Sequence, residues 1–430
     1  MQALKRILVG NNKDTMKKSA IWNIVESMEY SLQSAFLLLV VTRLGGLYDA
    51  GVFTIAYTFT QMIATIGSYG MRSFQVSDIK GEYKFGTYLC SRVISIGAMI
   101  CVCVVNLFLQ DYDRTKVYLM LILCMYRVVD DMDDVIHGEM QKNMRLDIAA
   151  KIASIRIFIS TVLFVVVYAA THNLVYSSLA LTITAVIISM LLNFIAIGEF
   201  PSITFKISRN KVLNLLWTCF PICISGFLYN YLANAPKYAI DRNLSEEIQT
   251  MFSILFMPIF VINILSSFIF KPMIASMGIL WSRGKYREFL KSVLRQLFLI
   301  IGLTIMVMLG GSICGVEVLG WMYGVDLTQY KILFVLLLAF GGFAALVAFF
   351  VVVLTIVRKQ QFIMVAYCVS VAINLVLANP IVLKHGICGA GIMYGITMGI
   401  IVLILVTTFV FTLRREEKRV DYGVSKKDLS

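Results

Sequence analysis

The chain has 430 residues, of which 59% are apolar and only 15% charged, with a formal net charge of +13. Soluble domains run nearer about 45–50% apolar and about 25% charged, so an ordinary water-soluble enzyme is excluded. Apolar runs near the roughly 20 residues that a helix needs to cross a bilayer recur throughout. They fall at 20–41, 49–70, 88–110, 116–138, 151–170 and 176–198, then at 212–235, 248–270, 289–313, 330–357, 362–383 and 388–413. None alternates as a spanning β-strand would. The expected fold is all-α, a polytopic membrane protein of about twelve transmembrane helices.

Connections between the runs are short, which leaves no room for a large catalytic module outside the membrane. Met1 to Ser19 is polar and basic, and no cleavable signal is expected there. The nine cysteines, such as Cys101, Cys103, Cys219 and Cys223, have no zinc or redox spacing and read as apolar packing. No metal or cofactor is expected.

The positive charge follows topology. With a cytoplasmic N-terminus, the inner tails and loops hold Lys5, Arg6, Lys13, Lys17 and Lys18, then Arg72, Lys80 and Lys84, then Lys142, Arg145 and Lys151. Lys206, Arg209 and Lys211 follow, then Arg283, Lys285, Arg287 and Lys291, then Arg358 and Lys359. The last tail adds Arg414, Arg415, Lys418, Arg419, Lys426 and Lys427. The opposite side receives seven, namely Arg43, Arg114, Lys116, Lys237, Arg242, Lys331 and Lys384. The bias obeys the positive-inside rule and places both termini in the cytoplasm. It gives no support to nucleic-acid binding.

In chain order, the first helix carries Asn23, Glu26, Tyr30, Gln33 and Ser34 on one face, with Glu29 at its margin. The second carries Thr54, Tyr57, Thr58, Gln61, Thr65 and Ser68 in the same way. Lipid offers such groups no partner, so these faces meet protein or water. Interhelical hydrogen bonding is one reading and a polar transport path the other. Glu26, charged and inside a span, points to function, either as a coupling site for a proton or sodium ion or as half of a fixed ion pair.

The fourth helix gathers Arg127, Asp130, Asp131, Asp133, Asp134 and His137 on one arc. Helical spacing would pair Arg127 with Asp131 and Asp133 with His137. The cluster reads either as a salt-bridged latch, closing on Arg145, Lys151 or Arg156, or as a cation or proton relay. A magnesium-dependent prenyltransferase would need a second acidic cluster on a facing helix, and no other helix supplies one.

A polar linker around Pro201 to Lys211 marks the midpoint, and the halves echo one another faintly. Trp22 and Trp217 each open a half. Arg43, Leu44 and Asp49 precede Gly51-Val52-Phe53, as Arg242, Leu244 and Glu247 precede Gln249-Thr250-Met251-Phe252. Six helices per half would make the repeats parallel. Asn230, Asn234 and Lys237 share a face of the seventh helix, Arg242 follows in the outer loop, and Lys271 ends the eighth helix beside Pro272. Pro221, Pro258 and Pro272 are expected to kink or break helices of the second half.

The stretches Thr42-Arg43-Leu44-Gly45-Gly46-Leu47-Tyr48-Asp49-Ala50-Gly51-Val52-Phe53, Asn234-Ala235-Pro236-Lys237-Tyr238-Ala239-Ile240-Asp241-Arg242 and Phe256-Met257-Pro258-Ile259-Phe260-Val261-Ile262-Asn263 resemble a known family. They are similar to the polysaccharide flippases of the multidrug/oligosaccharidyl-lipid/polysaccharide exporter superfamily. Gly46 and Ser245 depart from the proline that members often carry after the Leu-Gly step. The resemblance implies two six-helix lobes, 1–205 and 206–430, forming a V around a central cavity in a bacterial cell membrane. It implies a polyprenyl-diphosphate-linked oligosaccharide as substrate, moved to the outer leaflet without covalent chemistry. A diphosphate needs cationic donors along its route. Arg127, Arg156, Lys237 and Lys271 are the candidates, with Arg43 and Arg242 at the outer mouth, while interfacial snorkelling is the alternative for Lys237, Arg242 and Lys271. An ion-coupled multidrug exporter of the same superfamily is the second reading. A membrane polymerase or prenyltransferase is the third.

Overall fold

The computed structural model describes residues 8, 15–78, 81–198, 200 and 207–421. Lys5, Arg6, Lys13, Lys80, Lys206, Lys426 and Lys427 lie outside them, as do 201–206 of the midpoint linker and the side chains of Lys17, Lys418 and Arg419. Helices account for almost all of the described residues, and no strand occurs among them.

Twelve α-helices follow one another within residues 15–421 among the described residues. They are α1 (Thr15–Ser68), α2 (Met71–Ser77), α3 (Phe85–Leu109), α4 (Arg114–Lys142), α5 (Leu146–Thr171) and α6 (Leu174–Ile197). Then come α7 (Arg209–Asn243), α8 (Glu246–Phe270), α9 (Ile274–Ser282), α10 (Tyr286–Tyr323), α11 (Lys331–Ile356) and α12 (Gln361–Asp421). These are not one span each. Nine helical stretches are long and apolar enough to cross a bilayer among the described residues. Two of them, containing α1 and α12, are each broken by a single glycine in non-helical backbone, Gly46 and Gly386. Each therefore supplies two spans. Helix α4, 29 residues long, falls outside that set because of its charges. Twelve spans result, one for every apolar run in the sequence.

The expected loop between the first two spans shrinks to Gly46, at φ 84°, a backbone state favoured by glycine. Proline, held near φ −65°, cannot adopt it. Pro258 lies inside α8 without ending it, and Pro272 falls in the short 3-10 turn Lys271–Met273 that separates α8 from α9. Helix α7 is continuous through Pro221. Tight starts follow local chemistry. The Asp113 carboxylate accepts from Thr115 N–H at α4, and Asn173 Oδ1 accepts from Val175 and Tyr176 N–H at α6.

The chain divides into two compact units, Met1–Asn230 and Tyr231–Ser430, with the division inside α7. Pro221 thus belongs to the first unit. In that unit α1 packs on α4 and α5, and α6 packs on α4 and α5. In the second, α11 packs against α8, α10 and α12. Small residues permit the close approach. Added Cβ atoms at Gly311 and Gly315 of α10 would run into Leu338 and Phe334, and one at Gly395 of α12 into Phe340.

One end of the first unit gathers four segments that the charge bias assigns to a common side. Lys142 Nζ lies 3.7 Å from the Asp78 carboxylate, and Lys211 Nζ donates to the Glu82 carbonyl at 2.6 Å. Asp147 N–H donates to Ser19 Oγ at 3.1 Å, and Lys151 Nζ to the Leu8 carbonyl at 3.3 Å. An even number of crossings separates each pair, as the predicted alternation requires.

Candidate functional site

Within the first unit, α4 carries a charged core that apolar helices must enclose. Arg127 is 1% exposed. Its Nη1 donates to Asp130 Oδ2 at 2.9 Å, and its guanidinium lies 4.6 Å from the Tyr57 ring centroid and 5.3 Å from that of Tyr126. Its Nε and Nη2 have no hydrogen-bond partner among the described residues. Arg156 reaches over from α5, with Nη2 2.6 Å from Asp130 Oδ1 and Nε 3.0 Å from Asp133 Oδ2. Ser189 Oγ and Asn193 Nδ2 on α6 donate to Asp133 Oδ1.

Gln33 on the first half of α1 ties together α4, α5 and the second half of α1. Its Nε2 donates to Tyr126 Oη at 3.1 Å and Thr161 Oγ1 at 2.9 Å, while Tyr57 Oη donates to its Oε1 at 3.2 Å. A second cluster forms one turn further along α4. Asp134 binds Arg72 Nη1 at 3.1 Å and Arg92 Nη2 at 2.6 Å, and Arg72 Nε donates to Gln141 Oε1. Fully buried Arg92 also donates to the Gly67 carbonyl at 2.8 Å, which Ser95 Oγ meets at 2.6 Å.

The pairing differs from helical spacing. Arg127 takes Asp130 at i+3 instead of Asp131, because Asp131 points toward the second span. A Cβ on Gly67 would run into Asp131 Oδ2, so the carboxyl occupies the space a side chain would need. Asp131 is buried and its Oδ2 has no partner among the described residues. Asp133 takes Arg156, Ser189 and Asn193, leaving His137 to other neighbours. Of the expected latch partners, Arg156 engages the cluster, while Arg145 pairs with Asp147 and Lys151 Nζ donates to the Leu8 carbonyl. No group of His, Cys, Asp or Glu among the described residues could hold a metal ion.

The remaining candidates are scattered. Glu26 is half-buried, with Arg72 and Arg156 as the cations that act on it and no hydrogen bond among the described residues. Asn23, Tyr30 and Gln61 are exposed on the first unit. Arg43, Arg242 and Lys271 are exposed as well. Asn230 Nδ2 donates to the Gly226 carbonyl within α7, and Asn234 on the same helix is half-buried. Lys237 is buried against Phe256. The structure therefore joins Arg127, Arg156, Asp130 and Gln33 in one network and puts Asp134 in another. Arg92, Ser189 and Asn193 were missed by sequence reasoning. Arg92 could have been found, because an arginine inside an apolar run is as costly as Glu26.

No known family profile matches the sequence. A capsular polysaccharide biosynthesis protein, CapF of Staphylococcus aureus, is 21% identical over 328 residues, covering 76% of this chain and 82% of that protein. Among solved structures, the lipid II flippase MurJ in an inward closed conformation superposes with a TM-score of 0.70 at 13% identity, covering 92% of this chain and 90% of MurJ. An inward-facing multidrug resistance MATE family transporter of the MOP superfamily gives 0.62 at 14% identity, covering 93% and 98%. The chain has the fold of a MOP-superfamily transporter. That superfamily is the multidrug/oligosaccharidyl-lipid/polysaccharide exporter group which the sequence resembles, and its helical membrane architecture is the one expected from the apolar runs.

Proposed function

We propose that the chain carries a polyprenyl-diphosphate-linked oligosaccharide from the cytoplasmic to the outer leaflet of a bacterial cell membrane, exposing the head group to each side in turn. The observation that carries this reading is Arg127. A buried guanidinium with two unpartnered donors, flanked by tyrosine rings, is costly in an apolar bundle and suits a passing anionic or hydroxylated head group. The likeness to a capsular polysaccharide biosynthesis protein supports the same substrate class. Both termini are assigned to the cytoplasm, and a proton or sodium ion is the coupling partner. The second reading, an ion-coupled multidrug exporter, is favoured by one feature, the buried and unpartnered Asp131 carboxyl oxygen.

The test measures surface glycan in cells that depend on this protein for its export, alongside the amount of protein in the membrane. Arg127→Ala should reach the membrane, because Asp130 keeps Arg156, yet lower export about tenfold, the scale of one charge-assisted hydrogen bond. Arg127→Lys should not rescue it, since an ammonium lacks the planar stack over Tyr57. Arg156→Ala should instead deplete the protein itself. It leaves Asp133 and one oxygen of Asp130 without their cation, a loss of about 3–5 kcal/mol for a broken buried pair. Normal export by Arg127→Ala combined with Lys271→Ala would remove the cationic route. Drug sensitivity that follows Asp131→Asn while export is unchanged would favour the second reading.

A further inference from the structure

In the second unit, the end where α7 turns into α8 contains polar atoms that no described residue satisfies. Lys237 is 8% exposed, with no hydrogen bond and no acidic partner among the described residues, and its ammonium lies 5.5 Å from the Phe256 ring centroid. Gln249 on α8 is fully buried, and neither its Oε1 nor its Nε2 has a partner. Ser253 Oγ, also buried, is in the same state. Gln249, Ser253 and Phe256 stand at i, i+4 and i+7, so they share one face of α8, the face that Lys237 meets through Phe256. Ser253 stands one turn before Phe256 on that face, about 4.5 Å along α8 from the ring that Lys237 meets.

A structural role accounts poorly for this trio. An unpaired cation and an unpaired amide are both costly to bury, and apolar residues of the same size would pack there at less cost. Their donors do share a complement. We infer that Lys237, Gln249 and Ser253 form an oxyanion site that takes a phosphate-type group. The ammonium supplies charge, Gln249 Nε2 and Ser253 Oγ–H donate to its oxygens, and Gln249 Oε1 is left to accept from a neighbouring hydroxyl. Such a phosphate has two sources. One is the carrier-lipid diphosphate, an assignment that rests on the transport reading above. The other is the head group of a phospholipid in the adjoining leaflet, which does not.

The site is tested on the full-length protein in maltoside detergent micelles, which contain no phosphate, by thermal unfolding with added inorganic pyrophosphate. Binding to the folded state should raise the wild-type midpoint. Lys237→Met should weaken the response about tenfold or more while folding normally, because methionine replaces the aliphatic stem and needs no partner. Lys237→Arg should retain it, and Gln249→Leu should weaken it by a few-fold. Equal responses in wild type and Lys237→Met, or no response in wild type, overturn the site whatever happens to export. A second arm adds phosphatidylglycerol to the phosphate-free micelles. If it stabilises wild type, fails to stabilise Lys237→Met and blocks the pyrophosphate response, the site holds a phospholipid and the cargo assignment falls. If the pyrophosphate response is unchanged, the diphosphate of the cargo is the source. Glycan export by Lys237→Met then reports on the transport reading separately.

Discussion

Glu26 and Arg127 sit in neighbouring helices of one unit, and both carry charges that lipid would not tolerate. Arg127 resolves the problem partly, with one carboxylate and two tyrosine rings. Glu26 makes no hydrogen bond among the described residues, and the cations that act on it are Arg72 and Arg156. A half-buried carboxyl without a partner is free to exchange a proton or hold sodium as its surroundings change. Glu26→Gln keeps shape and hydrogen bonding but removes the exchange. Under this hypothesis, glycan export by the variant stops or becomes insensitive to collapsing the proton or sodium gradient. Export at the normal rate that still depends on the gradient would transfer the role to Asp130 or Asp134 on α4. The sequence made Glu26, Arg127 and the aspartates visible because charge inside an apolar run is conspicuous. It could not show that Ser189 and Asn193 complete Asp133, because small polar residues in helices serve as glue far more often than as ligands.

The first hairpin depends on two adjacent glycines for different reasons. A Cβ on Gly45 would run into the Tyr168 hydroxyl, which donates to Asp49 Oδ2 at 3.0 Å, and Tyr168 is held by stacking on Phe164. Gly45→Ala should therefore cost about 1–3 kcal/mol through overpacking. Adding Tyr168→Phe should recover only part of it, because the ring carbon remains 2.9 Å away. Gly46→Ala should cost about 1–3 kcal/mol because its φ of 84° and ψ of −175° fall in a region open to glycine, and Gly46→Pro should not fold. Thermal unfolding of the purified protein measures all of these. The loop after α2 depends on Asp78 in a different way. Burial alone would raise its carboxyl, but N–H groups of Tyr83 and Glu82, the Lys142 ammonium and the Tyr88 hydroxyl hold it below the usual range. A depressed carboxyl stabilises the fold above its unfolded value and loses that contribution as pH falls through its folded one. Asp78→Asn should thus be less stable than wild type by a constant margin above about pH 5, and the margin should close below about pH 4. The elements themselves were readable from apolar length. The hinge at Gly46 was not, because nothing in the pattern separates a one-residue break from a short loop.

For the whole chain, the charge bias predicts that the segment around Lys285 faces the cytoplasm. Lys285 is exposed, held only by Glu288 at 2.9 Å, so a cysteine there is accessible to reagent. In a background without the nine native cysteines, Lys285→Cys should resist a membrane-impermeant maleimide in intact cells and react after permeabilisation. Reaction in intact cells would invert the assigned topology. Helix number and the charge bias follow from solvation, which acts on each segment alone, so they could be read without a structure. The pairing inside α4 depends on which neighbouring helix offers an arginine, and periodicity cannot report that.

The carboxyl of Asp131 fills the space where residue 67 would otherwise carry a side chain. That makes the two positions a single heritable unit. A lineage that keeps an aspartate at 131 is confined to glycine at 67, and one that loses it is released to place alanine or serine there. Change at either position should therefore be accompanied by change at the other, even though one lies on α1 and the other on α4, 64 positions apart in the chain.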